Sequence, residues 1–364
     1  MVAREVIDEM LPFFSSEYGN PSSIHTMGDA AAKAVTAARK RTAAATGCKP
    51  SEIIFTSSGT EADNLALFGT LLASGKKKVV TSAIEHSAIL ESCERLREMG
   101  YDVVRVPVDA EGFVDMGKLD AAVDKDTALV SIMAANNVIG TIQPIAEMAE
   151  IAHGENALFH TDAVQAFTKT DIDVKRDRID LMSVSAHKIH GPKGIGALYV
   201  ANGVKLRPVM LGGGQEHGLR SSTENVPGMV GLGKAAELAI STMGSDVKRM
   251  AKLRDEIIEG ILEIEGSHLN GPVEKRLCSN AHFCFDGVRG NELVLALSKA
   301  GVYVSAASAC SAGSTEPSHV MTAIGKRPEE AMSSLRISIS RYTTEDEVYL
   351  LLGALPRAVR TARR

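Results

Sequence analysis

The chain has 364 residues, 45 % apolar and 23 % charged, ordinary values for a globular protein with room for about two domains. A net charge of −5 without a long basic block gives no electrostatic case for direct nucleic-acid binding. No run approaches the ~20 apolar residues of a membrane span, and the opening MVAREVIDEM has no signal-peptide core, so no membrane association or secretion is expected. Five cysteines form no paired framework in so long a chain, and free thiols in a cytoplasmic protein are the expectation.

In chain order, AAKAVTAARKRTAAAT (31–46) predicts an Ala-rich helix with basic residues on its wet side. IIFTSSG reads as a short strand and TEADNLALFGTLLAS as the helix after it. KKVVTSA is a strand, SAILESCERLREMG a helix closed by Gly100, and YDVVRVPV another strand. ALVSIMAANN, ALFHTDAVQ, IDLMSVSAHK and GALYV are further apolar runs, several ending in polar clusters. Such alternation predicts an α/β fold whose mostly parallel central sheet is covered on both faces. Ligands bind such sheets beyond the carboxyl ends of the strands. From about residue 243 the pattern changes. A charged helix, DVKRMAKLRDEIIEGILEIEG, leads into AHFCFDG, GVYVSAASAC and LRISISRY, then a last helix from Thr344 through Leu352, a smaller α+β unit.

Several clusters have chemical potential. In SVSAHKIHGPKG (183–194), Ser185, His187 and Lys188 arrive together where a strand stops. A lysine crowded there can act as a Schiff-base nucleophile, although a solvated charge is the commoner fate and Lys193 competes locally. HTDAVQ holds His160, Asp162 and Gln165. An aspartate there can keep a pyridinium nitrogen protonated or simply cap the next helix. In SSGTEADN (57–64), Gly59 and Thr60 stand where a helix begins, suited to a phosphate or to capping alone. The stretch lacks P-loop and GxGxxG spacing. His86 follows a strand. Cys310 sits among small residues in SAASACSAG, a setting for an accessible thiolate or for an inert cysteine. Cys278 and Cys284 flank His282 without a second ligand pair, so no metal site is expected.

Taken in order, FTSSGTEADNLAL, EHSAIL, NNVIGTIQPI, HTDAVQA, SAHKIHGPKGIGALYV, GGGQEHGLRSSTENV and SACSAGSTEPSHV resemble the cysteine desulfurases of the NifS/IscS type, class V aminotransferase relatives with the pyridoxal-phosphate fold type I. The resemblance spans almost the whole chain. It implies a large pyridoxal-phosphate-binding domain at 12–242, and a small domain from 1–11 and 243–364 carrying the Cys310 loop. It implies that Lys188 bonds the pyridoxal 5′-phosphate, that Ser185, His187, Gly59 and Thr60 hold its phosphate, and that Thr223 reaches the phosphate of the neighbouring subunit of a homodimer. Asp162 would pair with the ring nitrogen, Gln165 with the phenolic oxygen, and His86 would stack on the ring and carry protons. Asn137 and Arg336 would bind the carboxylate of L-cysteine. Cys310 would take the substrate's sulfur as a persulfide and pass it to an acceptor, such as an iron–sulfur scaffold protein or a tRNA-thiolation partner.

There are departures from the pattern. Relatives usually open with a segment like LDNAATTP that helps close the pocket, and this chain starts at MVAREVIDEM without it. Val138 stands where glutamate is common, and His217 where arginine is common. Rival readings are a selenocysteine lyase or another pyridoxal-phosphate enzyme of the same fold, and a non-catalytic sulfur-relay or scaffold-binding protein. Cys310 argues against transamination, and the retention of Lys188, Asp162, His86 and Cys310 together argues against a mere binding surface.

Overall fold

A computed structural model describes residues 1–306 and 317–363. Seven strands build the larger sheet: β1 (Ile53–Thr56), β2 (Lys78–Ser82), β3 (Asp102–Val106), β4 (Thr127–Ser131), β5 (Leu158–Asp162), β6 (Leu181–Ser185) and β7 (Gly196–Val200). Their order is β1-β7-β6-β5-β4-β2-β3. The β1–β7 and β7–β6 pairs are antiparallel and the other four parallel. All strands except β7 therefore point the same way.

The central strands are apolar on both faces because helices cover both. Adjacent residues alternate sides. Ile54, Val79, Leu129 and Leu198 pack under α3 (Gly59–Ser74) and α4 (Ser87–Glu98). Phe55, Val80, Val130 and Ala197 pack against α2 (Thr26–Thr46), α6 (Ile145–Gly154) and the first half of α7 (Val226–Leu262). The short α5 (Met116–Ala122) precedes β4.

The second sheet is antiparallel, in the order β10 (Ser334–Ser338), β9 (Asn280–Phe285), β8 (Ser267–Leu269). Its core joins Phe283, Phe285 and Leu335 to α8 (Gly290–Lys299), the second half of α7 and α11 (Glu345–Ala362). Two short helices, α9 (His319–Ala323) and α10 (Pro328–Met332), precede β10.

Four placements differ from the sequence reading. The helix expected from Asp246 is the second half of α7, which runs unbroken across position 242 from an Asn225 cap whose Oδ1 accepts from Gly228 N at 3.1 Å. Residues 1–11 contain α1 (Arg4–Met10), and Ala3 and Val6 are buried in the core of the larger sheet; Ala3 N donates to His190 O at 2.9 Å. The last helix continues ten residues past Leu352 through Pro356. A proline inside a helix costs about 3 kcal/mol, and here Leu355, Ala358 and Val359 bury a face that offsets it. Of GVYVSAASAC, residues 301–306 make only an isolated bridge from Ser305 to Arg336. No helix among the described residues is long and apolar enough to cross a membrane.

Candidate active site

Because β1, β2, β4, β5 and β6 share a direction, their carboxyl ends meet at one sheet edge. A cavity of about 210 Å³ lies beyond them. Its lining brings together Gly59, Thr60, His86, Asn137, Asp162, Gln165, Ser185, His187, Lys188 and Arg336, residues that the sequence scatters over 278 positions (59 to 336).

At one end, α3 begins. Ser58 Oγ accepts from Glu61 N at 3.1 Å and so caps the helix. First-turn N–H groups have no intrahelical acceptor, which leaves those of Gly59 and Thr60 available to an anion. Gly59 is required by close approach, since a Cβ there would stand 2.6 Å from Val164 Cγ2. Beside it, the β6 end turns into a single helical turn, Ala186–Lys188, where Ser185 Oγ and His187 Nδ1 lie 2.8 Å apart. Burial and the Lys188 charge hold the His187 imidazole below its usual range.

At the β5 end, Asp162 Oδ1 accepts from Val164 N at 2.8 Å. Burial raises its carboxyl above the ordinary value, while that hydrogen bond and the neighbouring His86 and Lys188 oppose the shift. His86 caps α4, its Nδ1 accepting from Ala88 N at 3.1 Å. The neutral ring must then carry its proton on Nε2, the atom left for exchange. On the remaining side β10 delivers Arg336, whose guanidinium donates to Asn137 O at 3.0 Å and so joins the two sheets across the cavity.

The donors present fit the pyridoxal phosphate implied by the sequence. Helix-end N–H groups and hydroxyls stand at one end, a buried carboxyl group from β5 faces the cavity, and an amine at Lys188 shares the lining. Thr223 is exposed and does not line the cavity. Cys310 lies outside the described residues. Val138 is buried beside Ile84 and Ile139, and His217 is exposed at a positive φ of 59°.

Sequence reasoning missed three ionisable groups close to this site. Asp63 lines the cavity and is 1 % exposed. An acid among Ala62, Leu65 and Ala66, on the apolar face of α3, was the available signal. Glu85 is fully buried and accepts from Met133 N at 3.0 Å and from Ser82 Oγ at 2.5 Å. Lys169 lines an adjoining cavity of about 180 Å³ that shares Asn137, Lys188 and Arg336; its Nζ donates to Gln165 O at 3.2 Å. Cys278 and Cys284 belong to the buried surroundings of β9, and His282 Nδ1 lies 3.0 Å from Asn270 Nδ2.

Residues 1–351 match the family described as aminotransferase class-V. Across 364 residues the chain is 47 % identical to "Cysteine desulfurase IscS" of Methanosarcina thermophila, covering 100 % of this chain and 90 % of the relative. It is also 47 % identical to "Cysteine desulfurase IscS" of Clostridium botulinum, covering 99 % and 92 % respectively. A solved "NIFS-LIKE PROTEIN" superposes with a TM-score of 0.93 at 40 % identity, over 99 % of this chain and 96 % of that one.

Proposed function

Because this chain belongs to the aminotransferase class-V family and is a pyridoxal-phosphate-dependent cysteine desulfurase, we propose that Lys188, His86 and Cys310 carry its chemistry. Bound pyridoxal phosphate supplies an electron sink that acidifies the substrate's α-hydrogen and weakens its bond to sulfur. The remaining work belongs to the chain. Gly59 and Thr60 at the start of α3, with Ser185 and His187, hold the phosphate. Asp162 accepts the ring-nitrogen proton in a buried setting where that charge pair is not screened. Gln165 meets the phenolic oxygen, and His86 stacks on the ring. Asn137 and Arg336 orient the carboxylate of L-cysteine, Arg336 by charge-assisted hydrogen bonds.

Lys188 anchors the cofactor, and its freed amine moves a proton at the substrate α-carbon. His86, with its proton on Nε2, exchanges protons with substrate and product. The Cys310 thiolate attacks the substrate sulfur. An S–S bond forms, the C–S bond breaks with its electron pair left on the carbon skeleton, and two protons complete alanine. The balance is L-cysteine plus protein thiol to L-alanine plus protein persulfide. The persulfide then passes to an acceptor, an iron–sulfur scaffold protein or a tRNA-thiolation partner, in the cytoplasm.

We further propose a homodimer in which Thr223 serves the neighbouring subunit's phosphate. Its exposure away from its own cavity supports that reading, as do the exposed apolar side chains of Phe14, Tyr18, Ile24 and Leu211. The observation that most supports the overall function is the convergence of Lys188, Asp162 and the start of α3 on one cavity. Two variants test it. Cys310→Ala should keep the visible cofactor band and lose protein-bound persulfide, whereas Lys188→Ala should lose the covalent cofactor. Borohydride fixing the cofactor on a lysine other than Lys188 would overturn the assignment.

A further inference from the structure

The proposed chemistry leaves His160 and Asp63 unused, although both are buried beside Asp162. His160 is fully buried on β5 between two hydroxyls, Nδ1 2.8 Å from Ser131 Oγ and Nε2 3.0 Å from Ser183 Oγ. Asp63, one turn into α3, faces the same Ser183 hydroxyl. Its Oδ1 lies 3.7 Å from His160 Nε2 and has no hydrogen-bond partner among the described residues. Ser183, His160 and Ser131 thus form a hydrogen-bonded chain in which each hydroxyl and ring nitrogen can run in either of two directions, with the Asp63 carboxyl at its Ser183 end.

The direction is set by one proton. If Asp63 is protonated, it donates to Ser183 Oγ, Ser183 donates to His160 Nε2, and the imidazole carries its proton on Nδ1, donating to Ser131. If Asp63 is ionised, each bond reverses and His160 carries its proton on Nε2. A buried carboxylate without a cation is costly, so the groups facing Asp63 decide. From β5 it faces Asp162 and the imidazole of His160, and from the turn after β2 it faces Glu85; Ser183 of β6 supplies only a hydroxyl. The acids Asp162 and Glu85 both oppose a charge on Asp63. His160 offers no cation, because burial pushes its imidazole down to about 3. Lys188, the nearby ammonium, acts on Asp162 instead.

We propose that Asp63 is a proton-holding positioning residue, which fixes His160 in the Nδ1–H tautomer through Ser183 and leaves Asp162 as the ionised carboxylate facing the cofactor. The assignment to the cofactor rests on the function proposed above; the proton assignment does not. With Asp63 neutral, the ring nitrogen meets a single negative charge. With both aspartates ionised, the repulsion between them would draw the ring proton toward a shared carboxylate site.

Ring-15N histidine NMR of the holoenzyme and of the apoprotein reads the tautomer directly, without turnover. The expected result in the wild type at pH 7 is a pyrrole-type Nδ1 and a pyridine-type Nε2 for His160. Asp63→Asn, which donates to Ser183 as the neutral acid does, should keep that pattern. It should also bind pyridoxal phosphate within about threefold of wild type and leave the pH dependence of the visible cofactor band unmoved. An Nε2–H tautomer in the wild type, or a tenfold loss of cofactor affinity in Asp63→Asn, would overturn the proposal. The wild-type spectrum decides even if the variant does not fold. Failure to form alanine from cysteine, with the tautomer as stated, would count against the proposed function alone.

Discussion

Gly59→Ala is the sharpest test of where the phosphate sits. The new Cβ would stand 2.6 Å from Val164 Cγ2 and 3.6 Å from Ser185 Cβ. Carbon atoms rest at about 3.5–4.0 Å, so the first contact is too short by about 1 Å and the second is ordinary. Val164 lines the cofactor cavity, and its shift to relieve the clash would disturb the cofactor's seat. Overpacking of this size costs about 1–3 kcal/mol; with the displaced Val164 placing that strain on the cofactor-bound state, it corresponds to a roughly 5- to 150-fold rise in the Kd for pyridoxal phosphate. Titration of the apoprotein followed by visible absorbance measures it, with thermal unfolding of the apoprotein as the control for folding. Val164→Ala removes the clashing methyl, so the double variant Gly59→Ala, Val164→Ala should bind within about threefold of Val164→Ala alone. Wild-type affinity in Gly59→Ala, or no recovery in the double variant, would refute the placement of the phosphate against the first turn of α3.

Two further outcomes follow from buried charges. Burial pushes the Glu85 carboxyl up to about 8 from 4.5, so the folded state keeps a proton that the unfolded chain releases. That stability is complete below the unfolded value and is lost as pH rises toward 8, by up to about 1.4 kcal/mol per unit. Thermal unfolding between pH 5 and 9 should show this decline in the wild type and a flatter profile in Glu85→Gln; equal slopes would refute it. Glu216 is 7 % exposed, pairs with Arg39 through 2.5 and 2.9 Å bonds and accepts from Phe55 N at 2.7 Å. Glu216→Ala leaves the Arg39 charge without its carboxylate, with only Ile53 O to accept from it, and leaves that amide without its acceptor, and should cost about 3–5 kcal/mol in urea unfolding; a loss under about 1 kcal/mol would show the pair to be solvent-screened.

Much of the fold was legible in the sequence because its strands are short, doubly covered and separated by strongly periodic helices. GALYV falls on β7, TEADNLALFGTLLAS on α3 short by one residue at its start, and IDLMSVSAHK overruns β6 by two residues before and three after. The reversed direction of β7 was not legible, since periodicity carries no information about strand direction. The sequence also misled wherever long-range packing overrode a local stop signal. The sequence reading takes the last helix only through Leu352, ahead of Gly353 and Pro356, but burial of Leu355 and Val359 against the second sheet carries it to Ala362. The opening residues were placed with the smaller domain for want of any local cue to the core that buries Val6. Of the site, Lys188, Asp162, His86 and Gly59 announced themselves as polar or small residues where strands stop. Asp63 and Glu85 did not, because what distinguishes them is the absence of a buried counter-charge, a property of three-dimensional neighbours.

The central claim is that this chain converts L-cysteine to L-alanine with the sulfur retained on Cys310. The most direct measurement mixes the pyridoxal-phosphate-loaded protein with L-cysteine in the absence of reductant and quantifies alanine, while mass spectrometry follows the peptide containing Cys310. The account predicts one alanine formed rapidly per site and a gain of one sulfur atom on Cys310, with both lost in Cys310→Ala. Cofactor bound at Lys188 with no alanine released, or alanine released at the wild-type rate by Cys310→Ala, would contradict it.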